Sequence, residues 1–332
     1  MVFSQDDGKH PGWRLLPFYF GMFFYELAAS AMQVTRPLVL LQQRQGITMI
    51  ATIDALMAVT YGIGSLVGSA MFPFVRPRVF LFVSTFLRCA SQGCVALVYW
   101  KSWGPWWVCL IFLLLDHVFA GVCGVSFHAI PRMYGGRSNT NLNLINSAAR
   151  IGISLGYLVG PVVVGLIVHA HDNGTGILHV KGNVSNQAVE LGNCVPVVAS
   201  LCTSILYLTI PPLKRQSKEY ILSRTYKSPL ACLREVKRNR YLRYSFWLLV
   251  FVYLGFFRGL FSTAMSTEIF HNSQWIAWMM AGFGLGEVLG AITHLTAFFG
   301  TPSTKRRIRW QVYLTCLSLM TMALIWMARY FA

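Results

Sequence analysis

Long apolar runs, interrupted at near-regular intervals by short polar stretches, occupy most of the chain. A helix rising 1.5 Å per residue needs about 20 residues to cross a hydrocarbon core of roughly 30 Å. That ruler predicts nine spans, at residues 15–41, 50–74, 79–100, 105–131, 144–170, 192–212, 245–267, 274–299 and 309–331. The runs are too long and too uniform for barrel strands, which alternate over about 10 residues. Helices are the remaining way to satisfy every backbone polar group in lipid. We read the first run as a permanent helix rather than a cleaved signal: Glu26 interrupts it, no small-residue cleavage site is evident, and more spans follow.

Two of these runs repeat each other. Tyr61-Gly-Ile-Gly-Ser-Leu-Val-Gly68-Ser-Ala70 and Phe283-Gly-Leu-Gly-Glu-Val-Leu-Gly290-Ala-Ile292 carry glycine at the same three places, and each is followed by basic residues, Arg76 and Arg78 or Lys305 to Arg309. One span upstream of each lies a looser pair, Tyr19-Phe-Gly21 running to Ala31-Met32 and Tyr253-Leu-Gly255 running to Ala264-Met265. Two related halves with the same helix order are implied, an arrangement that membrane transporters use to hold substrate between repeats.

Composition narrows the class. With 55% hydrophobic and 12% charged residues, a soluble globular domain is excluded. The formal charge of +17 is not a nucleic-acid footprint once the 28 Lys and Arg residues are sorted by segment. Twenty lie on one side: Lys9 and Arg14, Arg76 and Arg78, Arg132 and Arg137, ten from Lys214 to Arg243, and four from Lys305 to Arg309. The positive-inside rule puts that side, with the N-terminus, in the cytoplasm, and nine spans put the C-terminus outside. We expect a multi-pass protein of the plasma membrane, with the excess charge near anionic lipid as a secondary role. The eight cysteines show no CxxC or Cys/His spacing, so neither a metal nor a cofactor is expected. Two sequons, Asn173-Gly-Thr175 and Asn183-Val-Ser185, fall in the outer loop after the fifth span.

The basic segment 213–244 separates six spans from three. The organisation expected is a six-helix bundle over 1–212, a cytoplasmic linker over 213–244 whose stretch 231–242 is amphipathic, and a partial bundle of three helices over 245–332.

The fifth span holds the sharpest signature: Arg150-Ile-Gly152-Ile-Ser-Leu-Gly156-Tyr-Leu-Val-Gly160-Pro161-Val-Val-Val-Gly165. Glycines at every fourth position make one smooth helix face on which another backbone can lie closely. Pro161 removes a backbone donor beside that face and can bend the helix.

This stretch, with Pro131-Arg132 and Asn143-Leu-Ile-Asn146-Ser-Ala-Ala-Arg150 before it, resembles the fourth-to-fifth-helix region of the major facilitator superfamily, in its drug and siderophore efflux branch. The resemblance implies an all-α bundle and export in exchange for protons, with Arg150, Gly152, Gly156, Gly160, Pro161 and Gly165 as the coupling motif. It also implies a cavity built from the first, fourth, seventh and tenth helices. Two departures stand out. The loop from Gly68 to Arg78, where the family carries an aspartate among its gating arginines, keeps only Gly68, Arg76 and Arg78 of that gate. The nine spans fall three short of six plus six, and the tenth is among those missing. The alternatives are a truncated, non-transporting relic, a membrane interaction protein, or a chain that completes its wall by homo-oligomerising.

Ionisable residues inside spans are functional candidates because burying them unpaired costs several kcal/mol. Glu26 in the first span, Asp116 and His117 in the fourth and Arg258 in the seventh lie on helices the family turns toward its cavity. Glu26 and Asp116 are read as proton carriers, Glu26 foremost, and Arg258 as a partner for an anionic substrate or carboxylate; mutual ion pairing is the competing reading for Asp116 and Arg258. Arg88, Arg150 and Glu287 are assigned structural or coupling roles, and Asp54 is read as a residue that water reaches near a helix end. Trp100, Trp103, Trp106 and Trp107 are read as interfacial anchors. Phe23, Phe24 and Tyr25 beside Glu26 suit the wall of an apolar cavity. The expected partners are a small amphipathic substrate, protons and the lipid bilayer. An enzyme is not expected, because no metal spacing or nucleophile and base pattern surrounds Asp116, His117 and His128.

Overall fold

The computed structural model describes residues 15–42, 46–72, 74–101, 106–135, 139–171, 186–212, 234, 236–240, 243–244, 262–269 and 275–300. Among these residues there is no strand. Seven long helices follow one another: α1 (Leu16–Gln42), α2 (Ile47–Met71), α3 (Pro77–Trp100), α4 (Trp106–Gly135), α5 (Asn139–His171), α6 (Asn186–Leu208) and α7 (Trp275–Gly300), the last being the eighth predicted span. Most of the seventh span, all of the ninth, both sequons, Arg258 and Lys305 to Arg309 lie outside the described residues.

The helix boundaries follow local chemistry. α3 starts where Arg76 is extended and Pro77 takes the first turn, where its missing N–H costs nothing. α6 begins at Asn186, six residues ahead of the predicted 192. The sequence there, Asn186-Gln-Ala-Val-Glu-Leu191, looks polar, yet Ala188 and Val189 are fully buried against α1, α5 and α7. Burial of two side chains about one turn ahead of the membrane ruler's starting point extends the helix past the apolar run. α5 likewise runs 33 residues and passes through Pro161 without interruption.

α2, α3, most of α4, α5 and α6 are long and apolar enough to cross a membrane, and α7 has a shorter apolar stretch. α1 is long enough at 27 residues but carries Glu26, Gln33 and Arg36, and it is the helix around which the others gather. It packs on α5, α6 and α7 and contributes to cores at both ends of the bundle, through Phe18 and Met22 at one end and Val34 and Leu38 at the other. Around it α2 packs on α4, α3 on both α4 and α6, and α7 on α5.

Glycine makes the closest of these approaches possible. A carbon added at Gly152 would meet the Tyr19 carbonyl, one at Gly156 the Phe23 carbonyl, and one at Gly160 the Leu27 carbonyl. The partners advance by four residues along α1 as the glycines advance by four along α5, so the two helices run in the same direction in register. Ser30 Oγ lies 3.1 Å from the Gly156 carbonyl and 3.2 Å from that of Leu27, and the Tyr157 hydroxyl donates to Gln33 Oε1 at 2.7 Å.

The duplicated glycines do not do duplicate work. In α2, Gly64 lies on the Val118 carbonyl and Gly68 on the Val122 backbone of α4, while nothing lies within 4 Å of a carbon added at Gly62. In α7, Gly284, which matches Gly62, is the packed one: a carbon there would sit 2.6 Å from Leu158 Cα, whereas Gly286 is open. The motif therefore serves one helix face in α2 and another in α7. Gly64→Ala is expected to destabilise by about 1–3 kcal/mol through overpacking against backbone. Gly62→Ala is expected to be neutral or to stabilise by up to about 1 kcal/mol, as Ala exceeds Gly in helix propensity. Thermal unfolding of the two variants in detergent compares them directly.

Candidate functional site

The charged residues in the middle of the bundle come together through four helices. On α3, Arg88 and Gln92 are four residues apart and therefore share a face, which turns toward α4. Asp116 of α4 meets both: its Oδ1 accepts from Arg88 Nε at 3.0 Å and from Gln92 Nε2 at 2.9 Å. Gln92 Oε1 accepts in turn from Ser200 Oγ of α6 at 2.7 Å, and one turn along, Ser204 Oγ lies 3.1 Å from Thr85 Oγ1. A polar ladder thus ties α3 to α6 and ends on the Asp116 carboxylate.

α1 closes the cluster. The Arg88 guanidinium lies over the Tyr25 ring at 4.3 Å, a cation–π contact that shields it from the apolar surroundings. The Tyr25 hydroxyl donates to the Ala120 carbonyl of α4 at 3.3 Å. Glu26, next in sequence, is half-buried and near enough to Arg88 to act on it electrostatically. Its Cβ would lie 3.0 Å from a carbon added at Gly156, so the glycine seam of α5 directly supports the backbone that carries it.

The pairing is incomplete. Asp116 is fully buried and Arg88 nearly so, yet Asp116 Oδ2 and Arg88 Nη1 have no hydrogen-bond partner among the described residues. His117 Nδ1 lies 3.6 Å from Asp116 Oδ2, and its ring is 24% exposed. That nitrogen is 3.0 Å from the Leu113 carbonyl, which only accepts, so Nδ1 carries hydrogen and Nε2 has its lone pair available.

A second pair lies farther along α1. Arg36 Nη2 donates to Asp54 Oδ1 of α2 at 2.6 Å, and Arg36 Nη1 lies 3.4 Å from Met57 Sδ. Asp54, read from sequence as water-accessible, is only 11% exposed in its side chain, because Arg36 reaches across from a neighbouring helix to cover it.

The structure thus brings Glu26, Asp116 and His117 into one region and gives Asp116 the partner Arg88, a residue assigned only a supporting role from sequence. Arg258, the cation that the sequence offered to this site, lies outside the described residues. Arg150 is exposed at the start of the seam, Gly165 faces Ala277 of α7, and Arg76 and Arg78 are exposed beyond the end of α2. Gln92, Ser200, Thr85 and Ser204 were missed as site residues, and Tyr25, read as a cavity-wall residue, is the buried ring on which Arg88 lies. A signal was present: Arg88 and Gln92, like Ser200 and Ser204, are polar residues spaced four apart inside apolar spans, a spacing that marks one shared helix face. Among the described residues no group of three or more potential metal ligands occurs.

Residues 18–331 match the Major Facilitator Superfamily. No curated protein matches the chain.

Proposed function

The chain belongs to the Major Facilitator Superfamily, and from that membership we propose that it exports a small amphipathic molecule in exchange for protons by alternating access. Membership itself brings a multi-pass integral membrane transporter, with a small-molecule substrate and the lipid bilayer as its surroundings. Rocking of the first bundle against the second about a site near the middle of the membrane supplies the alternation.

The observation that carries proton coupling is the buried Arg88–Asp116 pair with Glu26 beside it, the pair lying on two helices long and apolar enough to cross a membrane. Ionisable groups at that depth are costly and serve ion or proton movement. Two carboxylates served by one guanidinium form a set that changes its pairing when either carboxylate takes a proton. Phe23 and Phe24, half-buried beside Glu26, leave part of their apolar surface for an amphipathic substrate. The seam of Gly152, Gly156 and Gly160 puts the α5 backbone directly against the backbone of α1 that carries Glu26, so movement of one helix is passed to the other, which fits the coupling role of that motif.

A second reading is favoured by one observation. The stretch from Gly68 to Arg78 holds Arg76 and Arg78, both exposed, without a carboxylate between them in sequence, so the gate implied by the family lacks its acid. A non-transporting membrane protein that retains the helices is consistent with that loss.

Flux measurements in proteoliposomes separate the two. The full chain is expected to move a cationic amphipathic dye such as ethidium against its gradient when a pH gradient is applied, and Glu26→Gln is expected to abolish the pH dependence. Absence of gradient-driven flux from the unaltered chain across a broad panel of amphipathic compounds favours the second reading.

A further inference from the structure

The turn that joins α2 to α3 is fastened on one side and bare on the other. Phe72 and Phe80 are buried and meet edge to face at 5.3 Å, and Met133 of α4 completes a small core with them, against which Val75 packs. The Phe72 N–H donates to the Gly68 carbonyl at 2.8 Å, the Phe74 N–H to that of Met71 at 3.0 Å and the Phe80 N–H to that of Arg76 at 2.9 Å, so the backbone is held at both ends of the turn. The residues in between face outward. Phe74 is 84% exposed, and Arg76, Arg78 and Val79 are exposed with it.

The two guanidiniums have no counter-ion of their own. Neither Arg76 nor Arg78 makes an ion pair among the described residues. Between Asp54 and Asp116 the sequence holds no acidic residue, and those two carboxylates are taken by Arg36 and Arg88. α2 and α3 are both long and apolar enough to cross a membrane, so the short turn between them lies at the bilayer surface, on the side that the charge count assigns to the cytoplasm. A bare phenylalanine ring is unfavourable in water and well placed at the boundary of headgroups and acyl chains. A guanidinium offers paired N–H donors that match phosphate oxygens.

We propose that this turn is a binding site for an anionic phospholipid of the cytoplasmic leaflet, with Phe74 entering the acyl boundary and Arg76 and Arg78 holding the headgroup phosphate. The missing acid is what opens the site: a carboxylate within the turn would pair with the arginines and repel an anionic headgroup. Phosphatidylcholine carries the phosphate too, but it brings a quaternary ammonium close to two cations, so a headgroup without one is favoured. The core of Phe72, Phe80 and Met133 fixes the turn from behind, and the arginines are therefore presented without first ordering the backbone. The site requires only a chain seated in a bilayer and holds for either reading of transport.

The test places a reporter in the turn. Phe74→Trp in the full chain is reconstituted in phosphatidylcholine vesicles containing brominated phosphatidylglycerol, or brominated phosphatidylcholine at the same mole fraction, and tryptophan quenching is measured. The signal of the unaltered chain, with its ten native tryptophans, is subtracted. The relative binding constant at position 74 is expected to favour phosphatidylglycerol on the order of tenfold, each arginine near the surface being worth about fivefold before screening. Added salt is expected to reduce that preference, and Arg76→Gln/Arg78→Gln in the same background to abolish it. If Phe74→Trp disturbs the fold, native mass spectrometry of the delipidated unaltered chain and of the glutamine pair, each given equal amounts of the two lipids, takes its place, with retained phosphatidylglycerol expected only on the former. Equal quenching by the two lipids, as when a carboxylate from elsewhere in the chain occupies the arginines, overturns the proposal. A preference that survives in the glutamine pair overturns it as well, by assigning the anionic lipid to other cations.

Discussion

Arg88→Gln is expected to destabilise the folded chain by about 3–5 kcal/mol, because it leaves the fully buried Asp116 carboxylate without its cation. Asp116→Asn is expected to cost a similar amount by leaving the guanidinium unpaired, although the Tyr25 ring retains part of its stabilisation. The double variant Arg88→Gln/Asp116→Asn is expected to recover much of that loss, since two neutral amides in reach of each other can hydrogen-bond without any buried charge. Thermal unfolding of the four proteins in one detergent closes a double-mutant cycle with a coupling energy above about 1 kcal/mol. Additive losses would mean that the two side chains act separately, and the site would lose its central pair. The expectation follows from burial. The same two residues on a wet surface would contribute about 0–1 kcal/mol.

Gly156→Leu is expected to prevent assembly of the first bundle, and Gly156→Ala to cost about 1–3 kcal/mol. The added carbon meets the Phe23 carbonyl and approaches Leu27 N at 2.9 Å, and backbone on both sides leaves no flexible side chain to move aside. The α1 and α5 helices would have to separate, and with them the register that holds Ser30 near Gly156 and Tyr157 at Gln33. Gly165→Ala is the control on the same helix: its carbon meets only the Ala277 Cβ, at 3.0 Å, and should be milder. Expression as a monodisperse species on size-exclusion chromatography and the unfolding midpoint report the difference. Equal behaviour of the 156 and 165 variants would show that the seam is not held as tightly as its geometry requires. Gly156→Ala should also disturb proton coupling where flux is measurable, as it pushes on the Glu26 Cβ.

The fold was largely legible because a bilayer imposes one length and one polarity on every element that crosses it. Six of the first six spans and the eighth correspond to described helices, displaced at their ends where helices project beyond the apolar core, as α6 does at Asn186. The glycine spacing of 152, 156 and 160 announced a close helix contact, and a close contact is found. Its partner was not legible: spacing of four defines a face but does not say which helix lies on it. The repeat shows the same limit more sharply. Identical glycine positions pack through Gly64 and Gly68 in α2 and through Gly284 in α7, because each helix is rotated to suit its own neighbour.

The site divides in the same way. Hydropathy marked Glu26, Asp116 and His117 together with Arg88, Arg150 and Glu287, since an ionisable residue inside an apolar run is conspicuous whatever surrounds it, and the family resemblance singled out the first three by their helices. Pairing was decided in three dimensions. Arg88 and Asp116 are 28 residues apart on different helices, and Arg36 and Asp54 are 18 apart. The amino-acid sequence by itself determined that the chain is an all-helical membrane protein, where the seven long described helices begin and end to within about six residues, and which charged residues fall inside apolar runs. Only the tertiary structure decided which charges meet, which oxygen of Asp116 is left without a donor, and which glycines are irreplaceable. Those properties depend on the rotation of each helix about its axis, which no single helix specifies and which packing against several neighbours sets together.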